Sequence, residues 1–302
     1  MTPEKDGIYE NIPDDEYRAW QLPSYSGLKI LALGGTPAHY WGYTHATKKK
    51  TSRAMEFGSI AHRAILEPQW FELTQPLPED IPKRVGTKYK ELLEANPGVS
   101  YLPNGEWTDF LAAKESAMII RERVMCHPIA WELVERSKPE VSFAWTDPDT
   151  GVRCKGRTDL LADSIVDIKT SSRSGQYQMA KSAYWTGYHI QAAMYTDAIT
   201  ILRGEDPQLN PVRFWFLFIE KDLPHLISLF DGHAAYDERC DDCVPRGYLE
   251  FGRRKYKEAL SIIKKCEETD AWDGYSFEPR EMVIPKYAGW EDGLLTMKGD
   301  EL

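Results

Sequence analysis

Two aspartates and a lysine near the middle of the chain are the residues best placed to do chemistry. Asp159 stands near the end of the run VRCKGRTDLL (152–161), and Asp167 and Lys169 lie two apart in SIVDIKTS (164–171). Side chains alternate faces along a strand, so Arg153, Lys155, Arg157 and Asp159 are expected on one face of the first run. On the second run Asp167 and Lys169 share a face and Ile168 points to the other. If the two faces coincide, the carboxylates converge. Convergent carboxylates repel unless a cation lies between them, and oxygen donors suit Mg²⁺ better than softer metals. Such an ion polarises a phosphate oxygen and lowers the pKa of a bound water. A nearby lysine can orient or help deprotonate that nucleophile and offset charge in the transition state. These side chains are a compact kit for phosphodiester hydrolysis, although an Asp-x-Lys pair alone reads first as a surface ion pair.

The elements that must position this kit can be read from hydrophobic patterning. EVSFAWTD (140–147) alternates Val141, Phe143 and Trp145 against Glu140, Ser142 and Ala144, the period of a strand with one buried face. DPDTG (147–151) is a turn, so 152–161 should return antiparallel as a hairpin, followed by a third strand at 164–171. A long helix is expected from about 177 to 202, then strands at 212–220 and 225–230, then an amphipathic helix over 247–267. Upstream, residues 1–50 read as an irregular lead with two helical pieces. Ser24 or Ser26 is a candidate cap for the first, and Thr36 caps the second with Pro37 in its first position. KKKTSR (48–53) reads as a basic linker and 56–66 as a helix. Residues 74–105 read as an irregular insertion with one short helix, and 107–136 as a helix broken near 126–128. The order predicts an α/β (α+β) class, a central mixed sheet flanked by helices.

Composition sets wider bounds. The 302 residues are 42% hydrophobic and 28% charged, the balance of a globular chain. No apolar run is long enough to cross a bilayer and no secretory signal opens the chain, so a cytoplasmic location without membrane association is expected. Five irregularly spaced cysteines read as reduced thiols. The net charge of −10 does not exclude a nucleic-acid partner, because a metal site needs clustered carboxylates and bound ions add local positive charge.

Further blocks extend the central motif. Glu140, GRTD ending in Asp159, and VDIKT with Asp167 and Lys169 together resemble the core of the PD-(D/E)XK nuclease superfamily. FGSIAHRAILEP (57–68) resembles the helix on which RecB-type and exodeoxyribonuclease VIII (RecE-like) nucleases carry a metal-binding histidine, here His62. GYHIQAAMYTDA (187–198) is similar to their Gln-x-x-x-Tyr helix, here Gln191 and Tyr195. YSGLKILALGGTPAHYW (25–41), LEPQWF (66–71) and YKEALSIIKKCEETDAW (256–272) extend the likeness to roughly residues 7–290.

This resemblance implies a restriction-endonuclease-like core. Residues 1–55 would be a helical lead, 56–290 the nuclease domain with a variable insertion at about 74–138, and 291–302 a tail, effectively one domain. It also implies roles. His62, Asp159, Asp167 and the backbone carbonyl of Ile168 would hold Mg²⁺, with Mn²⁺ able to substitute, and Lys169 would position the attacking water. Glu140 would hold a second ion or orient a water. Gln191 and Tyr195 would support Lys169 and the scissile phosphate, while Arg157, Lys155, Arg153, Thr170 and Ser171 would contact DNA. Trp41, Tyr43, Trp185 and Tyr188 could stack at a DNA end, though burial in the core is the commoner fate.

The implied activity is exonucleolytic degradation of linear duplex DNA, 5′ to 3′, leaving 3′ single strands for a RecT-like annealing protein. A ring-shaped oligomer, often a tetramer, in a bacterial or phage-infected cell belongs to the same picture. A structure-selective or nicking endonuclease and a catalytically silent DNA-binding scaffold are the alternatives. Cys240 and Cys243 form a CxxC that with His225 and His233 could bind zinc. An iron–sulfur cluster, which needs four cysteines, is not expected.

Overall fold

The computed structural model describes residues 2–46, 53–173, 175–232 and 247–278. Most of the basic linker, His233, the CxxC pair and the 291–302 tail lie outside the described residues.

A six-stranded sheet organises the chain. Its strands are β1 (Gly7–Tyr9), β4 (Lys138–Thr146), β5 (Arg153–Leu161), β6 (Ile165–Ser171), β7 (Phe214–Glu220) and β8 (Ile227–Asp231), in the spatial order β1-β4-β5-β6-β7-β8. Only β6 and β7 pair in parallel; the other neighbours are antiparallel, so the sheet is mixed. The β4–β5 hairpin closes at Asp147, whose buried Oδ2 accepts from the Thr150 amide (2.9 Å) and the Thr150 hydroxyl (2.7 Å). That side-chain mimicry of a backbone turn is why the DPDTG signal was readable.

Helices cover both faces. On one side lie α2 (Tyr25–Ala32), α3 (Pro37–His45), α9 (Gln176–Thr186), α10 (Tyr188–Leu202) and α11 (Tyr248–Thr269). Their core includes Leu28, Val141, Phe143, Trp145, Ile190, Met194, Phe214, Phe216 and Leu260. On the other side α4 (Arg53–Leu66), α5 (Pro68–Leu73), α7 (Asn104–Met125) and α8 (Pro128–Arg136) pack through Ala61, Ile65, Phe110 and Ile120 onto Leu160, Val166, Ile168, Leu217 and Ile219. β6 therefore sends Ile165 to one core and Val166 and Ile168 to the other, the alternation expected of a central strand.

Three expectations change. The helix expected over 177–202 is two helices, because Gly187 adopts φ +77 between them, a left-handed conformation that glycine takes without a Cβ penalty. The 74–105 segment contains α6 (Thr87–Ala95) and a small parallel pair, β2 (Thr74–Pro76) and β3 (Ser100–Leu102). The N-terminal lead also contributes β1 to the main sheet and the short α1 (Asp14–Ala19).

α10 is buried along almost its whole length, from His189 to Thr200. Close approach of α11 makes this possible: a Cβ on Gly252 would lie 1.9 Å from the His189 carbonyl oxygen. Beside that contact, buried Asp197 accepts two hydrogen bonds from Arg253 (2.6 and 2.7 Å) and one from the Tyr256 hydroxyl (2.6 Å), which satisfies its charge. No helix among the described residues is long and apolar enough to cross a membrane.

Candidate active site

The site forms where β5 and β6 part. Their ladder comprises Leu160–Val166 and Leu161–Ile165, beside the connecting turn, and the β4–β5 ladder pairs Pro139 with Leu160 and Val141 with Thr158, passing over Glu140 and Asp159. Asp159 is thus freed from regular pairing, and its carboxylate takes the place of a strand partner: the Ile168 amide donates to Asp159 Oδ2 at 2.7 Å. From α4, His62 reaches the same point. Its Nε2–H donates to the Ile168 carbonyl at 3.0 Å, and its Nδ1 lies 3.5 Å from Asp159 Oδ1.

Asp167 faces the opposite helical layer. Its side chain is buried, with Gln191 Nε2 donating to Oδ1 at 2.6 Å and Lys169 Nζ 2.5 Å from Oδ2. The Lys169 contact is an ion pair that leaves Oδ2 without a well-formed hydrogen bond. Burial, reinforced by the negative charge of Asp159, pushes the Asp167 carboxyl up to about 6, even though Lys169 and His62 pull the other way. Burial works to lower the Lys169 ammonium, but Asp167 and Asp159 together outweigh it and hold it above the ordinary lysine value. Lys169 is therefore a cation at neutral pH, not a free base. Its Nζ also lies 5.0 Å from the centroid of the Tyr188 ring.

The roles implied by the resemblance are distributed differently in several places. Gln191 supports Asp167, not Lys169. Tyr195, one turn on, is buried with its ring edge-on to Phe143 and its hydroxyl against the Arg157 main chain, so it braces β5. Glu140 lies at φ +50, a conformation uncommon outside glycine, and its carboxylate is 3.4 Å from Arg157 Nη1. Burial raises its pKa; the Arg157 charge opposes this, while Glu67 and Asp159 add to it.

The expected basic stripe is not a DNA-facing surface. Lys155 is buried and donates to the carbonyls of Trp20 (2.7 Å) and Tyr17 (2.9 Å). Arg153 donates to Asp6 and to the Pro3 carbonyl. Arg157 binds Ser142 Oγ and the Ile12 carbonyl. Three cations read as phosphate contacts thus fasten the N-terminal segment to β5. The reason is that this segment arrives with unpaired carbonyls and acidic groups, which a strand pattern does not show.

Two residues near Lys169 carry no signal in the strand pattern. Tyr188 lies beside its ammonium. Lys29 of α2 has its ammonium 5.4 Å from the centroid of the Tyr25 ring; burial, then the neighbouring Lys169 charge, holds it below the ordinary lysine value. Tyr188 was expected only as a stacking aromatic, and the YSGLKIL block could have drawn attention to Lys29. Of the exposed aromatics, Trp41 stacks on His45, and Trp185 is 67% exposed. His225 is buried, with Nδ1 2.9 Å from the Glu220 carbonyl oxygen.

Among the described residues no three His, Cys, Asp or Glu side chains are gathered into a metal-holding cluster. The donors instead engage one another, Asp159 with the Ile168 amide and Asp167 with Lys169. The donor set nevertheless fits a hard divalent cation. Ligands bonded at about 2.1 Å to an octahedral ion stand about 3 Å from their neighbours, and His62 Nε2 and the Ile168 oxygen are 3.0 Å apart. A cation could replace the shared proton there with little movement, with Asp159 adjoining.

A mixed sheet flanked by helices, with Asp159 and an Asp-x-Lys at the parting of two central strands, defines the class of PD-(D/E)XK nuclease folds. The chain belongs to the family described as "PDDEXK-like domain of unknown function (DUF3799)", whose model matches residues 24–279. It is similar in fold to a crystal structure of a "Putative exonuclease" from Eubacterium rectale, with a TM-score of 0.51 and 16% identity. That likeness covers 85% of this chain and 88% of the other. No curated protein matches the sequence.

Proposed function

We propose that this protein is a metal-dependent deoxyribonuclease that degrades linear duplex DNA from its ends. The observation that carries the reading is the His62 contact to the Ile168 carbonyl beside Asp159, flanked along β6 by the buried Asp167–Lys169 ion pair. A carboxylate whose burial raises its pKa beside a specific charge partner is a candidate for a functional role.

His62, Asp159, Asp167 and the Ile168 carbonyl would hold Mg²⁺, with Mn²⁺ an acceptable substitute. When bound, the ion polarises the scissile phosphate and acidifies a water. Lys169, held as an ammonium, orients that water and stabilises the charge growing on the phosphoryl oxygens. Gln191 fixes the rotamer of Asp167, and Lys29, Thr170 and Ser171 supply contacts to flanking phosphates. The 5′-to-3′ polarity, a ring-shaped homo-oligomer, a cytoplasmic setting and hand-over of 3′ tails to a RecT-like annealing protein complete the proposal and rest on family resemblance.

Incubation with Mg²⁺ and either linear duplex or covalently closed circular DNA tests it. Loss of the linear form alone, with end-labelled strands shortened from their 5′ termini, is the expected result. Nicking of the circle would replace the exonuclease with an endonuclease, and inertness toward both would leave a DNA-binding scaffold.

A further inference from the structure

A cavity of about 560 Å³ opens immediately past Lys169, where β6 ends. It adjoins the site already described: Thr170 is the next residue along the strand, and Tyr188, which lies beside the Lys169 ammonium, forms part of the wall. Two cations line it, Arg173 and Lys221, and neither has a carboxylate partner among the described residues. The backbone that presents them is fastened, because the Lys221 amide donates to the Ser171 carbonyl (2.8 Å) and Ser171 Oγ donates to the Arg173 carbonyl (2.8 Å). Ser172 and Ser182 line the same space, Thr186 keeps its hydroxyl on the Ser182 carbonyl (2.7 Å), and Met179 and Tyr188 give the cavity an apolar side.

We propose that this cavity is a subsite for one nucleoside monophosphate unit. Arg173 and Lys221 take the phosphate, the hydroxyls take sugar oxygens, and Met179 with Tyr188 offers surface for the base. The volume lies within the range of small-ligand pockets and far exceeds what a phosphate ion fills. Cations without a carboxylate partner among the described residues, beside neutral hydroxyls, favour a mono- or dianion carrying many acceptors. The proposal rests on the nuclease reading for its place beside the cleaved bond. Its ligand is either the terminal nucleotide of a strand or a free mononucleotide.

Calorimetric titration of the full chain in EDTA separates this from the nuclease reading, since no metal and no turnover are involved. The probes are dAMP, deoxyadenosine, inorganic phosphate and a short single strand ending in a phosphate. dAMP is expected to bind more tightly than either of its halves, and R173A/K221A to weaken it at least tenfold while R173K/K221R retains it. Tighter binding of the strand than of dAMP assigns the subsite to a strand end, and the reverse assigns it to released nucleotide. Ser182→Leu, which fills the cavity from its other wall, should also weaken dAMP and guards against a misfolded double variant. Unchanged dAMP affinity in both variants, equal affinity for phosphate alone, or no binding of dAMP and strand would overturn the subsite. Cleavage of linear DNA by the unaltered protein, measured separately with Mg²⁺, would still stand or fall alone.

Discussion

Replacing Gln191 with leucine removes one hydrogen bond and leaves the shape of α10 nearly unchanged. The bond runs from Gln191 Nε2 to Asp167 Oδ1 at 2.6 Å, and both side chains are buried, so water cannot replace it. A hydrogen bond to a charged group contributes about 1.5–3 kcal/mol, and one pKa unit corresponds to about 1.4 kcal/mol, so Asp167 should rise by about 1–2 units. It starts from about 6. The sign follows from the carboxylate's being the working form. Near pH 7 a larger share of Asp167 is protonated in the variant than in the unaltered protein. The acid limb of the pH–rate profile for linear DNA should therefore move upward by about 1–2 units, with activity recovering toward the alkaline side. A bound metal lowers both limbs together, so the displacement between the two proteins is the quantity to read. A variant that is slower at every pH by a constant factor, its limb unmoved, would refute the idea that Gln191 acts through the charge of Asp167.

The same geometry gives three further expectations. Lys169→Ala should lower cleavage by roughly 10²–10³-fold or more while duplex binding in a gel-shift assay persists, because its ammonium is spent on the transition state. Lys155→Ala should destabilise the fold by about 2–4 kcal/mol in urea titration, since buried carbonyls lose their donor. The salt dependence of DNA binding should stay the same in that variant, as a residue that touches no phosphate releases no counterion. Gly252→Ala drives a Cβ into the His189 carbonyl and should cost about 3 kcal/mol, measured by denaturant midpoint, if the two helices cannot separate.

The legible parts of the chain were those where local pattern and final environment agree. β4 through β6 were readable because Val141, Phe143 and Trp145 alternate into a core and a self-contained Asp147–Thr150 turn links the first two strands. β1, β2 and β3 were not, since three residues hold too little periodicity and their stability comes from the partner strand. The break between α9 and α10 was signalled by Gly187 but masked by helical residues on both sides. At the proposed site, strand spacing singled out Asp159, Asp167 and Lys169, but by itself it read the Asp-x-Lys pair as a surface ion pair until the family resemblance was added. His62 sits some hundred residues away and was visible through family resemblance alone. The misreading of Arg153, Lys155 and Arg157 has a simple origin. Alternation says which side a residue leaves, and it is silent about what the N-terminal chain lays over that side.

That covering segment sets the true edge of the sheet. Gly7–Tyr9 zips onto Ser142–Ala144, and three β5 cations grip carbonyls between Pro3 and Trp20. A protein trimmed to start at α4 would keep every proposed ligand yet expose β4 as a bare ribbon beside three cations stripped of their carbonyl acceptors. Such a strand invites pairing with other molecules. Loss of function on shortening the amino end would then report clumping and slackened β5 geometry, with the chemistry itself untouched.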